Sequence, residues 1–376
     1  MKLSINREAL LCNLNVVANG LPTKTPLQAL NGIKISAVEG GVLLTTSKSD
    51  ISIRTLVMDE TLNVEESGEA LVGGKIFLDV IRKIGSKDIK LETEGNLLKI
   101  NGGRSHYKLT TMDVNEYPDI EFVESENTFT MGASVLTNLI KTTVFSAAHT
   151  EKKPILTGVN FSYNNGEFKA VATDSFRLSL NKYDITLGDI PTITIPSKAL
   201  TDLIKRLGDY DGDLSLTLLD NRMLVKFDNI DFQTRLLDGA YPDTSRLIAS
   251  EFPIELRFNR EDLINVVDRV SIMIPSDTKD KEITYSVIML KVSPQGVVLS
   301  STNQVIGDAK EEITPINELK ETDNIVLGFS AKYFLDALRS FKGNEVALHL
   351  TSNVRPFTLT EDNSNLIQLI LPVRLS

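Results

Sequence analysis

The chain repeats itself three times, and that periodicity limits its fold more than any other feature. "KIFLDVIRKIG" starts at Lys75, "KALTDLIKRLG" at Lys198 and "KYFLDALRSFKG" at Lys332. Aligned, their apolar positions are Phe77, Val80, Ile81, Ile84; Leu200, Leu203, Ile204, Leu207; and Phe334, Ala337, Leu338, Phe341. Each set follows i, i+3, i+4, i+7, the single stripe of a helix lying on a core. Gly85 and Gly208 stand where a left-handed C-terminal cap is expected, and Gly343 falls one place late. A second helix opens each unit, at "REALLCNLNVVA" (7), "SVLTNLIKTTVFSA" (134) and "REDLINVVDRVS" (260), with Leu10, Leu136 and Leu263 in register. Between the helices the apolar period drops to two, as in "GVLLTTSKSDISIRTLV", "GEFKAVATDSFRLSL" and "GVVLSSTNQVIGDAKEEI". Tyr-Pro-Asp follows the last meander twice, at Tyr117 and Tyr241, and its proline is expected to end the strand by withholding a donor.

These repeats predict an α+β chain of three units, 1–124, 125–250 and 251–376, mostly antiparallel sheet with two short helices on one face of each. Cys12 is the single cysteine, which excludes an intrachain disulfide and a cysteine metal cluster. No apolar run reaches membrane-spanning length and no signal sequence opens the chain, so a cytoplasmic protein without a membrane partner is expected.

A net charge of −10 argues at first against a nucleic-acid partner. Its distribution answers the objection. The six predicted helices carry 13 basic and 7 acidic residues, a net of +6 that leaves −16 on the rest of the chain. Lys75, Arg82 and Lys83 recur as Lys198, Lys205 and Arg206, then as Lys332, Arg339 and Lys342, always off the apolar stripe. Solubilising an exposed helix explains any one of them. Recurrence against an acidic remainder favours a layer facing phosphates, without base readout and sensitive to salt.

Signatures of catalysis are absent. There is no G-x-x-x-x-G-K-[ST] loop, and no G-x-G-x-x-G follows a strand. His106, His149 and His349 lie far apart without metal-ligand spacing. Asp174 and Ser175 could be drawn as orienter and nucleophile, but no G-x-S-x-G elbow or nearby histidine supports them. Neither a cofactor nor an enzymatic activity is expected.

Taken together, "GKIFLDVIRKI", "GRSHYKLTTMDVNEYPDI", "VATDSFRL", "GAYPD" and the terminal "LILPVR" closely resemble the bacterial DNA polymerase III beta subunit, the sliding-clamp family, over residues 1–374. The resemblance implies the DNA-clamp fold, with antiparallel sheets outside and helices inside, closed into a ring as a head-to-tail homodimer. Such a ring would encircle double-stranded DNA and confer processivity on the DNA polymerase III catalytic subunit. A clamp loader complex would open it, and other polymerases and repair proteins would bind through short linear peptides.

By the same resemblance, the peptide pocket would be lined by Leu156, Thr173, Ser175, Phe176, Arg177, Leu178, Pro242, Arg246 and Leu247. From the third unit it would take Tyr333, Val354, Pro356, Ile370, Leu371, Pro372, Val373 and Arg374. Read alone, "LILPVR" is better taken as an ordinary final core strand, and only the resemblance reverses that reading. The dimer contact would set Arg104, His106, Tyr107 and Leu109 against Ile272, Met273, Asp308, Glu311 and Glu312. DNA would meet Lys24, Arg82, Lys83, Lys152, Lys153, Lys198, Lys205 and Arg206.

The chain departs from the family in three places. Phe176 replaces a frequent histidine, "PLQALNGI" replaces a Pro-Ile-Leu run, and Lys310 dilutes the acidic strand. Two other readings stay open on sequence alone: a β-rich adaptor that binds proteins without encircling DNA, and a hydrolase acting through Asp174 and Ser175.

Overall fold

The computed structural model describes residues 1–48, 50–123, 125–150, 152–249, 251–274, 287–320 and 324–373. One element order occurs three times. The first module runs β1 (Lys2–Asn6), α1 (Arg7–Val17), β2 (Gly32–Val38), β3 (Gly41–Lys48), β4 (Ile51–Val57), β5 (Asn63–Glu66), β6 (Gly68–Gly73), α2 (Gly74–Lys83), β7 (Asp88–Glu94), β8 (Leu97–Gly102), β9 (Ser105–Met112). The second runs β10 (Thr128–Gly132), α3 (Ala133–Thr143), β11 (Gly158–Asn164), β12 (Glu167–Thr173), β13 (Arg177–Asp184), β14 (Ile193–Pro196), α4 (Ser197–Leu207), β15 (Asp213–Leu219), β16 (Arg222–Phe227), β17 (Ile230–Arg235). The third runs β18 (Ile254–Asn259), α5 (Arg260–Val270), β19 (Val287–Ser293), β20 (Gly296–Asn303), β21 (Gly307–Ile313), β22 (Ile325–Ser330), α6 (Ala331–Ser340), β23 (Glu345–Leu350), β24 (Phe357–Thr360), β25 (Ile367–Ile370). The short strand β5 is an addition in the first module.

Helix positions follow the sequence stripes. Phe77, Val80 and Ile81 of α2 are buried, as are Phe334, Ala337 and Leu338 of α6. Asn6 and Asn259 cap α1 and α5 by accepting first-turn amides. Gly208 takes the expected left-handed conformation at φ +51, with its N–H donating to Ile204 O. Gly85 does not, because α2 ends on Ile84 in extended backbone. Tyr-Pro-Asp also differs from expectation. β9 and β17 end at Met112 and Arg235, well before Pro118 and Pro242, so proline does not terminate either strand. The tyrosine does the structural work instead. Tyr117 Oη donates to Thr45 O on β3, and Tyr241 Oη accepts from Thr173 N on β12. Burial pushes both phenols up.

Each module has two four-stranded halves; in the first module they join where β6 pairs with the end of β9, and β5 is added beside β1. The first halves are β4-β3-β2-β6, β13-β12-β11-β14 and β21-β20-β19-β22; the second are β9-β8-β7-β1, β17-β16-β15-β10 and β25-β24-β23-β18. The described chain forms two compact units, Met1–Ser134 with Asp202–Leu236, and Val135–Thr201 with Leu237–Ser376. Within the former, β17 pairs antiparallel with β4, merging a second-module half into the first module's sheet. Within the latter, β13 pairs with β25, merging halves of the second and third modules. Sheets therefore cross the sequence repeats. In both cases a module's last strand adds to the third β-ladder strand of the module before it.

Candidate functional site

The turn between β12 and β13 concentrates the chain's most constrained polar groups. Ser175 sits at φ +78, a region costly for a side-chain-bearing residue unless neighbours enforce it. They do. Asp174 Oδ1 accepts from Phe176 N at 2.9 Å and Arg177 N at 3.0 Å, while Thr173 Oγ1 donates to Arg177 O and accepts from Ser175 N. This folds the backbone so that Phe176 is pushed into solvent, about half exposed.

Arg177 is turned the other way and is only 3% exposed. A buried guanidinium is costly unless paired and hydrogen-bonded throughout. Its Nε donates to Asp174 Oδ2 at 3.0 Å, Nη1 to Asp336 Oδ2 on α6 at 2.7 Å and Nη2 to Phe145 O. Tyr333 stacks 4.2 Å from the guanidinium carbon, and burial pushes its phenol up to about 12. Both Asp174 oxygens are thus committed to the turn and to Arg177, which weakens its candidacy as an orienter for Ser175. Sequence reading missed Asp336 and Phe145. The recurring aspartate of the K-x-x-x-D helices was the available signal for the first.

β13 and β25 pair Arg177 with Ile370, and Leu371 N donates to Phe176 O at 2.9 Å. Two exposed apolar side chains, Phe176 and Leu371, are thereby brought together. Phe357 is the other neighbour of Ile370, which places Pro356 at the same end of the sheet, with exposed Val354 two residues before it. Val373 N donates to Gly328 O, tying down the segment that contains Pro372. Tyr241, bonded to Thr173, brings in the stretch containing Pro242, Arg246 and Leu247, all three exposed. Leu156, Leu178 and Ile370 are buried and offer no open surface. Arg374 lies outside the described residues. Phe176 and Leu371 thus form an exposed apolar pair, with exposed Leu247 and Val354 on neighbouring segments, side chains of a kind suited to hydrophobic peptide residues.

Of the predicted DNA-facing bases, Lys24, Arg82, Lys83, Lys152, Lys153, Lys198 and Lys205 are exposed. Arg82 bonds Asp79 at 3.4 Å and Asn15 Oδ1 at 3.2 Å. Arg206 behaves differently. Its Nη1 donates to Val16 O at 3.3 Å, its Nε is buried without a partner, and burial lowers its pKa. Among the predicted dimer residues, Arg104 is exposed in the turn before β9, and His106 and Tyr107 are exposed on β9, with Leu109 half-buried. Ile272, Asp308 and Glu312 are exposed, and Met273 is half-buried. Glu311 is held within its own chain: Arg269 Nη2 lies 2.6 Å from its Oε2 and keeps the carboxyl below the usual range. Among the described residues, no cluster of histidine, cysteine and carboxylates could hold a metal, and no helix is long and apolar enough to cross a membrane.

Three family models describing the DNA polymerase III beta subunit match in order: the N-terminal domain at residues 1–121, the central domain at 130–243 and the C-terminal domain at 245–374. A beta sliding clamp of Staphylococcus epidermidis is 34% identical over 382 residues, covering all of this chain and 99% of that one. One from Staphylococcus aureus is 33% identical with the same coverage. The sliding clamp of Bacillus subtilis superposes at a TM-score of 0.93 with 32% identity, covering both chains completely. The beta subunit from DNA polymerase of Streptococcus pyogenes gives 0.93 at 29%, again over both full chains. With three clamp domains in this order and the matching fold, the chain belongs to the bacterial DNA polymerase III beta subunit family, the DNA sliding clamps.

Proposed function

We propose that two copies of this chain close head to tail into a ring around duplex DNA, a non-catalytic cytoplasmic tether for the DNA polymerase III catalytic subunit. The modules would be 1–124, 125–250 and 251–376. The clamp loader complex would place the ring on DNA, and other polymerases and repair proteins would share the surface around Phe176 and Leu371 with the polymerase. Exposed helix and loop bases, Lys198 and Lys205 among them, would meet phosphates without reading bases.

The rule of sheet pairing carries this reading. Every module's last strand adds to the third β-ladder strand of the module before it, as β17 does to β4 and β25 to β13. The rule leaves two strands over: β9 of the first module, which meets β6 only at Thr111 and Met112 and is otherwise open along that edge, and β21, which among the described residues pairs with β20 alone. A second copy satisfies both, giving a heterologous contact that closes after two chains.

The repeats also supply a register. β8–β9 and β16–β17 share two-residue turns with positive φ at Gly103 and Asp228, which equates Tyr107 with Phe232. Thr46 and Ser301 each donate to a helix-end carbonyl, Val17 O and Val270 O, which equates their ladder partners Ile53 and Ala309. Phe232 pairs with Ile53, so Tyr107 would pair with Ala309 and Lys108 with Asp308. Opposite charges directly across a ladder favour that alignment.

Topology provides the test. The protein loaded on closed circular DNA should stay bound at salt that abolishes ordinary phosphate contacts, and should be lost when the circle is cut. Equal retention on circular and linear DNA would refute encirclement and favour the adaptor.

A further inference from the structure

The two joints inside the chain share a device that the ring-closing joint lacks. Where the first and second modules meet, Lys48, the last residue of β3, places Nζ 2.6 Å from Asp202 Oδ2 on α4. Where the second and third meet, Arg177, the first residue of β13, places Nη1 2.7 Å from Asp336 Oδ2 on α6. Both bases come from the tip of the hairpin between a module's second and third ladder strands. Both acceptors are the same aspartate of the K-x-x-x-D helix in the following module.

The corresponding aspartate of α2 is Asp79. Among the described residues its ion-pair partner is Arg82, one turn along the same helix at 3.4 Å, and it is exposed. The corresponding hairpin tip joins β20 to β21 and reads Asn303-Gln304-Val305-Ile306-Gly307, with no charge. Asn303 Oδ1 accepts from Val305 N and Ile306 N, both at 2.9 Å, and so fixes the turn that presents them. Val305 is 93% exposed and Ile306 52%. An isolated exposed aliphatic residue needs no explanation, but two adjacent ones held by a side-chain cap at the end of an open edge strand do.

Opposite them in the repeat stands another anomaly. Next to the lysine that opens each K-x-x-x-D helix are Ile76, Ala199 and Tyr333. Ala199 is 1% exposed and Tyr333 packs beneath Arg177, whereas Ile76 is 53% exposed. Ile76 thus occupies a position that the intrachain joints cover.

We propose that the ring-closing joint exchanges the ion pair of the other two for an apolar contact, in which Val305 and Ile306 of one copy seat on Ile76 of the other. This rests on the ring reading above, because the second copy is what brings β21 alongside β9. The occupant is a second copy because the hairpin tip ends the same strand whose free edge that copy takes. An apolar seat does not weaken as salt rises, unlike the ion pairs at the intrachain joints.

The test is a double-mutant cycle on the dimer constant, measured by sedimentation across a dilution series. Val305→Ser with Ile306→Ser should weaken dimerisation at least tenfold, and Ile76→Ser should weaken it by a comparable factor. Combining them should cost little more than either alone, the sign of a shared contact. All three positions are exposed, so the folded chain should be unaffected, as circular dichroism can verify. Losses that simply multiply, or an unchanged dimer constant, would overturn the contact. Ile272→Ala with Met273→Ala separates the levels: if it breaks the dimer while the tip variants do not, the ring reading stands and this inference fails. A monomeric parent protein would overturn both.

Discussion

Replacing Asp336 by asparagine tests how the β12–β13 hairpin is held. The substitution keeps the shape and one acceptor but removes a charge 2.7 Å from Arg177 Nη1. Two unit charges in contact at an effective dielectric near 20 attract by about 4 kcal/mol. Asp336 keeps partial solvent access, and Asp174 still neutralises Arg177 at 3.0 Å, so we expect a net loss of roughly 1–2 kcal/mol. The loss should be local, because Arg177 anchors one hairpin and its partner strand. Native-state hydrogen exchange reads it directly. The amide of Leu371, bonded to Phe176 O, should exchange roughly 5- to 30-fold faster, together with those at the start of β13. Amides of β2 and β3 should not change. Arg177→Met should cost more, about 3 kcal/mol, because it strands Asp174 and Asp336 without their cation. Adding Asp336→Asn to it should then cost almost nothing. Unchanged protection in Asp336→Asn, or additive losses in the double variant, would refute the tether.

Two further expectations follow from the same unit. His349 is half-buried against the Phe252 ring and Thr360 Oγ1, and burial lowers its pKa despite the nearby Glu255. The folded protein then binds fewer protons than the unfolded chain, so stability should fall as pH drops below about 6.5; His349→Gln should flatten that slope in thermal unfolding, and an unaltered slope would assign it elsewhere. Deleting 371–376 should abolish capture of a polymerase-derived hydrophobic peptide while leaving the sedimenting dimer intact, and retained peptide affinity would displace the site from Leu371.

Local features of the fold were legible because local rules set them. The Phe77, Leu200 and Phe334 stripes mark helices wherever they occur, and period-two runs mark strands. What sequence reading missed depends on distant partners. Pro118 and Pro242 look like strand terminators, yet the strands stop earlier and the adjacent tyrosines reach back to β3 and β12. Arg177 reads as a pocket-lining base, and nothing within the turn announces that Asp336, 159 residues away, completes its burial. Arg206 and Glu311 likewise look free in a charge count, but Val16 O and Arg269 engage them. Charge layers can be read from a sequence; which individual charges remain available cannot.

Because the two larger sheets interleave halves of two modules, the repeat visible in the sequence is not a piece that can be removed. Cutting between 121 and 130 would separate β10 from the modules' shared chain path yet leave β17 still laced to β4, so the fragments would remain clasped. Expressing one repeat alone would bare backbone along β4, β13 or β17, the kind of surface that seeds aggregation. A chain nicked between modules should therefore stay assembled, whereas a single module on its own should be prone to aggregate.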